Sequence, residues 1–219
     1  MSMADALYRE ELPGLVASGE VGIGEIDTAV REALGAKYDM GLFHDPFRRI
    51  GSAEDDPADV NAESRLHREA ARAVARESIV LLENKKQTLP LQKRGTIALV
   101  GPLADSPVDM MGSWSAAGVA KQSVTVRQGL LDAVGDEAVV HHARGANITD
   151  DPHMVEYLNF LNWDKPEVVQ DPRSPDAMIA EAVALAEKAD VIVAAVGESR
   201  GMSHEASSRT SLQIPESQQ

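Results

Sequence analysis

Cysteine is absent from the 219 residues. That excludes disulfides, thiolate nucleophiles and Cys-ligated metal sites, and it leaves the redox compartment open. Aromatic residues make up only 4%, thin for an extended surface on which bases or sugar rings would stack. Basic charge is also short: 21 Lys and Arg against 35 Asp and Glu give a formal net charge of −14. With no basic stripe to offset it, nucleic acid is not expected as a partner. No run of about eighteen apolar residues is present, so no membrane-spanning helix is expected. The opening "MSMADALYREELPGL" lacks a basic stretch followed by an apolar one and does not read as a signal peptide.

What is present is a 43% hydrophobic content, enough for a globular core, over a length that suits one large domain or one domain and part of another. Three zones can be distinguished. In residues 1–43, Ile26, Ala29, Val30, Ala33 and Leu34 recur at helical spacing, with Gly41 as the expected stop. Residues 44–61, "HDPFRRIGSAEDDPADVN", carry Pro46, Gly51 and Pro57 with almost no apolar periodicity and read as a linker. From about Ala62 a new domain is expected. Its first helix places Leu66, Ala70, Ala73, Val74 and Leu81 on one face. "TIALVGPLADS" then reads as a buried parallel strand, "SPDAMIAEAVALAEKAD" as a helix capped by Ser174 with Pro175 in its first turn, and "VIVAAVGE" as a second buried strand. A third strand is expected around "AVVHHARG". Strand, helix, strand implies a right-handed crossover and a mainly parallel sheet, so the loops after both Val-Gly steps share its carboxyl edge. So few strands make a small sheet. The chain is expected to be cut short at its C-terminus, and its first zone to be the tail of something upstream.

The loop after the last strand, "AVGESRGMSHEASSRTSLQIP", concentrates Glu198, His204, Glu205 and Arg209. A solvated surface loop is the plainer reading of those residue types; a site on the carboxyl edge is the sharper one. "HEASS" has Ser208 where a His-Glu-x-x-His zinc motif needs its second histidine, and a deaminase-type site would need cysteines. His141 and His142 are adjacent and face opposite ways on a strand. No metal and no cofactor are therefore expected. "VGPLADS" lacks the glycine pattern of a phosphate loop, and no Gly-x-Ser-x-Gly elbow occurs. "GSWSAAG" sets Trp114, one of two tryptophans, among small residues. It reads either as a tryptophan buried under its loop or as a flat platform for a sugar ring.

Taken in order, "LPGLVASGEV", "KYDMGLFHDP", "NAESRLHREAARAVARESIVLLEN", "LPLQKRGTIALVGPLADS", "MGSWSAAG", "DPRSP" and "VGESRGMSHEASSRTSLQIPESQ" resemble glycoside hydrolase family 3 over essentially the whole chain, and within it the periplasmic β-glucosidases. The resemblance implies an α/β fold. Residues 1–43 would be the C-terminal tail of a (β/α)8-like barrel, 44–61 the interdomain linker, and 62–219 the first part of an α/β sandwich domain. It also implies an active site between barrel and sandwich, and a retaining, exo-acting hydrolysis of terminal β-D-glucosyl residues. The partners would be β-glucosides or short β-linked gluco-oligosaccharides, and the location of the parent enzyme the periplasm.

In that family the nucleophile is a barrel Asp, in a region before the residue matching Met1, so this chain is expected to carry no nucleophile and to be inactive alone. The resemblance places the general acid/base at Glu205. It gives His204 and Arg209 the tasks of orienting Glu205 or touching sugar hydroxyls, Trp114 that of the platform, and Glu198 that of holding the loop. Retaining hydrolysis needs two carboxyls about 5–5.5 Å apart across the scissile bond, and a loop on a second domain can bring the second one over a barrel mouth. The competing expectations are a carbohydrate-binding α/β module without catalysis and a small-molecule-binding α/β regulator.

Overall fold

The computed structural model describes residues 6–48, 50, 57–115, 118–160, 168–205 and 207–219. It divides into two units, Met1–Glu83 and Asn84–Gln219.

The first unit is helical. Helix α1 spans Leu7–Ser18 with Pro13 in its interior, and Gly19 at φ +81° ends it by donating to the Val16 carbonyl at 3.2 Å. Sequence reasoning names no helix here, because Pro13-Gly14 reads as a break. Helix α2 spans Ile23–Asp39 and carries the Ile26–Leu34 periodicity; the chain turns at Gly41, φ +75°, where Leu42 N–H reaches the Lys37 carbonyl at 3.0 Å. No residue of α1 or α2 is buried. Helix α3 spans Pro57–Ser78. It begins inside the stretch read as a linker, whose residues 49 and 51–56 lie outside those described. Proline at a first helical position is preorganised for it. The helix ends before Leu81, which the sequence reading placed on its apolar face. The β-branched pair Ile79-Val80 disfavours a further turn, and Ser78 Oγ bonds back to the Ala75 carbonyl at 2.8 Å.

The second unit is built on a three-stranded parallel sheet in the order β2-β1-β3. Strand β1 is Gly95–Val100, β2 Ala138–Ala143 and β3 Val191–Ala194. Ile97 faces Val140 on one side and Val191 on the other; Val100 faces Ala143 and Ala194. As the central strand, β1 buries Ile97, Ala98 and Leu99 completely or nearly so. Strand β3, expected to be buried, is not: it lies at the edge of this sheet, alternates in exposure, and leaves Ile192 53% exposed.

Between the strands lie α4 (Val126–Val134), α5 (Pro152–Phe160) and α6 (Pro175–Ala186). Ser174 caps α6 as expected, accepting from Ala177 N–H at 3.3 Å, and Met178 is buried beneath it. A bidentate pair ties the turn before α6: Arg173 Nε and Nη2 donate to Asp171 at 2.9 and 2.7 Å, and Nη1 reaches Glu181 at 2.7 Å. The guanidinium holds the Asp171 carboxyl well below the usual carboxylate range. A small core of Ile148, Leu158 and Val168, packed with Leu103, Val155 and Met202, underlies the loop that follows β3.

The order 2-1-3 means that the chain leaves β1 toward β2 and later crosses back past β1 to β3. The loops after β1 and β3 therefore start from neighbouring strands at the carboxyl edge, where open α/β sheets bind ligands. Gly101 fixes their closeness. It sits at φ +113°, and a β-carbon there would overlap the Ala195 carbonyl oxygen. Only glycine supports both the conformation and the approach.

Candidate active site

The loop from Ala195 to Pro215 is closed at its base. Gly197, at φ +138°, donates to Gln218 Oε1 at 2.8 Å, and Gln218 Nε2 donates to the Gly197 and Ile148 carbonyls, both at 2.9 Å. Above this, Arg209 Nη1 pairs with Glu198 Oε1, and Arg209 Nη2 donates to the Gln213 carbonyl at 2.6 Å. Both of these Arg209 contacts lie within the loop.

His204 is half-buried and stacks on Tyr157 at a centroid separation of 6.4 Å. Its Nδ1 pairs with the backbone carbonyl of Glu205, and Ser207 Oγ lies 3.2 Å from its Nε2. It therefore anchors the main chain at residue 205. Glu205 is exposed. The recess beside the loop, ≈ 480 Å³ and lined by Thr149, Met154, Tyr157, Glu198, Met202 and Arg209 among others, includes neither Glu205 nor Trp114.

Trp114 lies on the loop after β1 and is 73% exposed, so a tryptophan buried under its own loop does not describe it. Ala116 and Ala117, beside it, fall outside the described residues. The two loops are joined. The Asp109 carboxylate accepts from Arg200 N–H at 2.8 Å, and Ser113 Oγ sits 2.7 Å from the Arg200 carbonyl and against that of Ser203. Sequence reasoning singled out neither Asp109 nor Ser113. Their only signal was position, in the loop after β1 facing the loop after β3.

A second recess, ≈ 360 Å³, opens at the ends of β1 and β2. His142 Nε2 and Arg144 Nε are buried there without hydrogen-bond partners, and burial pushes both pKa values down. Among the described residues no group of three or more His, Asp or Glu is placed to hold a metal, and no helix is long and apolar enough to cross a membrane.

The second unit is thus a parallel α/β unit with two interlocked loops on its carboxyl edge, one carrying an exposed indole and the other an exposed carboxylate. The chain belongs to glycosyl hydrolase family 3: residues 79–219 match the glycosyl hydrolase family 3 C-terminal domain. It is 62% identical over 218 residues to the periplasmic beta-glucosidase of Salmonella typhimurium, covering 100% of this chain and 28% of that protein. The lysosomal beta glucosidase of Dictyostelium discoideum is 31% identical, over 85% of this chain and 21% of that one. Among solved structures, a beta-glucosidase from Listeria innocua in complex with glucose superposes with a TM-score of 0.69 at 34% identity, over 99% of this chain and 25% of that one. A mutant of the same enzyme in complex with laminaribiose gives 0.71 at 33% identity, over 99% and 26%. The chain thus spans about a quarter of the length of the relatives it matches.

Proposed function

We propose that this chain is part of a retaining, exo-acting β-glucosidase of the periplasm, and that Glu205 is its general acid/base. Residues 1–43 are the tail of the barrel domain, 44–61 the linker and 62–219 the first part of the sandwich. The nucleophilic Asp belongs to the barrel and is not among these 219 residues, so the chain hydrolyses no glycoside by itself. Its substrates are β-glucosides and short β-linked gluco-oligosaccharides, in keeping with the glucose and laminaribiose bound by the Listeria enzyme.

The observation that carries this reading is the joining of the Glu205 loop to the Trp114 loop through Ser113. It supports the reading because it ties a loop with an exposed carboxylate to a loop with an exposed indole. In the first half-reaction Glu205, as the acid, gives its proton to the leaving oxygen while the barrel Asp attacks the anomeric carbon. In the second, the Glu205 carboxylate takes a proton from water, which displaces the Asp. Trp114 carries the leaving sugar. His204 and Arg209 act on the loop from behind, through the Glu205 main chain and through Glu198.

The test is Glu205→Gln in the complete enzyme. A disaccharide with a poor leaving group should lose roughly 10²–10⁴-fold in rate, the usual span of general acid catalysis. An aryl glucoside with an acidic phenol should lose far less in its first step, the covalent intermediate should accumulate, and azide should restore turnover. Equal losses on both substrates without azide rescue would assign the acid/base to another carboxyl.

A further inference from the structure

The clasp between the two loops is made by side chains of one loop on the main chain of the other, across 87 to 91 residues of sequence. Asp109 opens a short 3-10 turn, Asp109–Met111, and Arg200 opens another, Arg200–Met202. One oxygen of the Asp109 carboxylate accepts from Arg200 N–H at 2.8 Å; the other accepts from Ser106 Oγ at 2.5 Å, which fixes the carboxylate's rotamer. Ser113 Oγ faces two carbonyls, those of Arg200 and Ser203, and has one proton to share between them. Arg200 is therefore held at its N–H by one residue and at its carbonyl by another. Its side chain reaches back, with Nη1 3.5 Å from Ser115 Oγ. The contact to Asp109 is charge-assisted and partly buried, which makes it stronger than a neutral surface bond.

The residues so gripped are neighbours of the ones with chemistry to do. Ser113 precedes Trp114, and Ser203 lies two positions before Glu205. We propose that Asp109 and Ser113 are positioning residues: they lock the Trp114 platform and the Glu205 carboxylate into one body, so that the proton donor stays in register with the leaving oxygen of a sugar resting on the indole. This rests on the acid/base reading of Glu205. A misplacement of about 1 Å at such a donor can cost on the order of a hundredfold in rate. The Gly101–Ala195 approach, by contrast, lies at the roots of the two loops.

Ser113→Ala in the complete enzyme removes the clasp on Arg200 and Ser203 without touching the donor. Amide exchange across residues 200–205 should rise by about tenfold, the equivalent of one lost hydrogen bond of ordinary worth. Exchange at Ile97–Leu99 should stay unchanged. The kcat/KM of the disaccharide, which reports the first step, should fall by roughly ten- to a hundredfold, while that of the acidic aryl glucoside, which needs little proton donation there, is nearly spared. Ser113→Thr, which keeps the hydroxyl, should restore both. Asp109→Asn keeps shape and an acceptor oxygen but loses the charge; it should shift the same readouts in the same direction by less, and serves if Ser113→Ala folds badly. Unchanged exchange at 200–205 in both variants overturns the clasp whatever Glu205 does, and equal losses on the two substrates overturn the positioning role. Faster exchange together with a Glu205→Gln enzyme that azide does not rescue overturns the acid/base reading, and with it the positioning role, while the clasp itself stands.

Discussion

His142 sits at the carboxyl end of β2 with its Nε2 buried and unpartnered, and burial lowers its pKa from the ordinary 6.5 despite the nearby Asp105 carboxylate, which acts the other way. The consequence for stability has a definite sign. Above pH about 6.5 the imidazole is neutral in both folded and unfolded chains, and the full stability is present. As pH falls through that value the unfolded chain takes up the proton first, so stability drops until the folded pKa is passed and then levels off. Denaturant midpoints measured from pH 8 to pH 5 should fall, and His142→Gln, which cannot be protonated, should flatten the curve over that window. An identical pH dependence in the variant would mean that the group is not felt. The other residues that act on the loops also do so indirectly: His204 through a backbone carbonyl, and Arg209 through Glu198. Residue types in the loop were legible from sequence; which side chain served which backbone group was not, because that depends on partners such as Tyr157 and Gln213 fixed only by folding.

At the scale of elements, the first unit differs from the second. Helices α1 and α2 bury no residue, and Ile23, Val30, Leu34 and Tyr38 are 64, 47, 43 and 72% exposed. A helix without a packed face draws only on intrinsic propensity, which is marginal for segments of this length. In this chain on its own, amide protection across Ile26–Leu34 should fall below that of Ile97–Leu99 by about a hundredfold or more, as expected for the low-stability end of a fold. Equal protection in a monomer would show that the helix has found a partner. Strand β1, helix α6 with its Ser174 cap, and β2 were readable because an apolar run or a cap-plus-proline signal names them locally. Helices α4 and α5 were not, being nine residues each, although Thr125 three residues ahead of Gln128 is a capping-box spacing that could have announced α4. The exposure of β3 could not be read from its apolar run, because it depends on the strand's place at the edge.

At the scale of the molecule, the proposed function gives this chain one of the two carboxylates that retaining hydrolysis requires and leaves the other to the barrel. The sheet order sets β3 beside β1, Gly101 lets the chain after the two strands approach closely, and Glu205 and Trp114 are both exposed. A deactivated fluoroglucoside that traps the covalent intermediate tests this directly. The complete enzyme would be labelled, digested and mapped by mass spectrometry. The glucosyl label is expected on an Asp outside residues 1–219, with labelling of the Glu205→Gln enzyme still occurring at that same residue. A label on any carboxylate within residues 1–219 would contradict it.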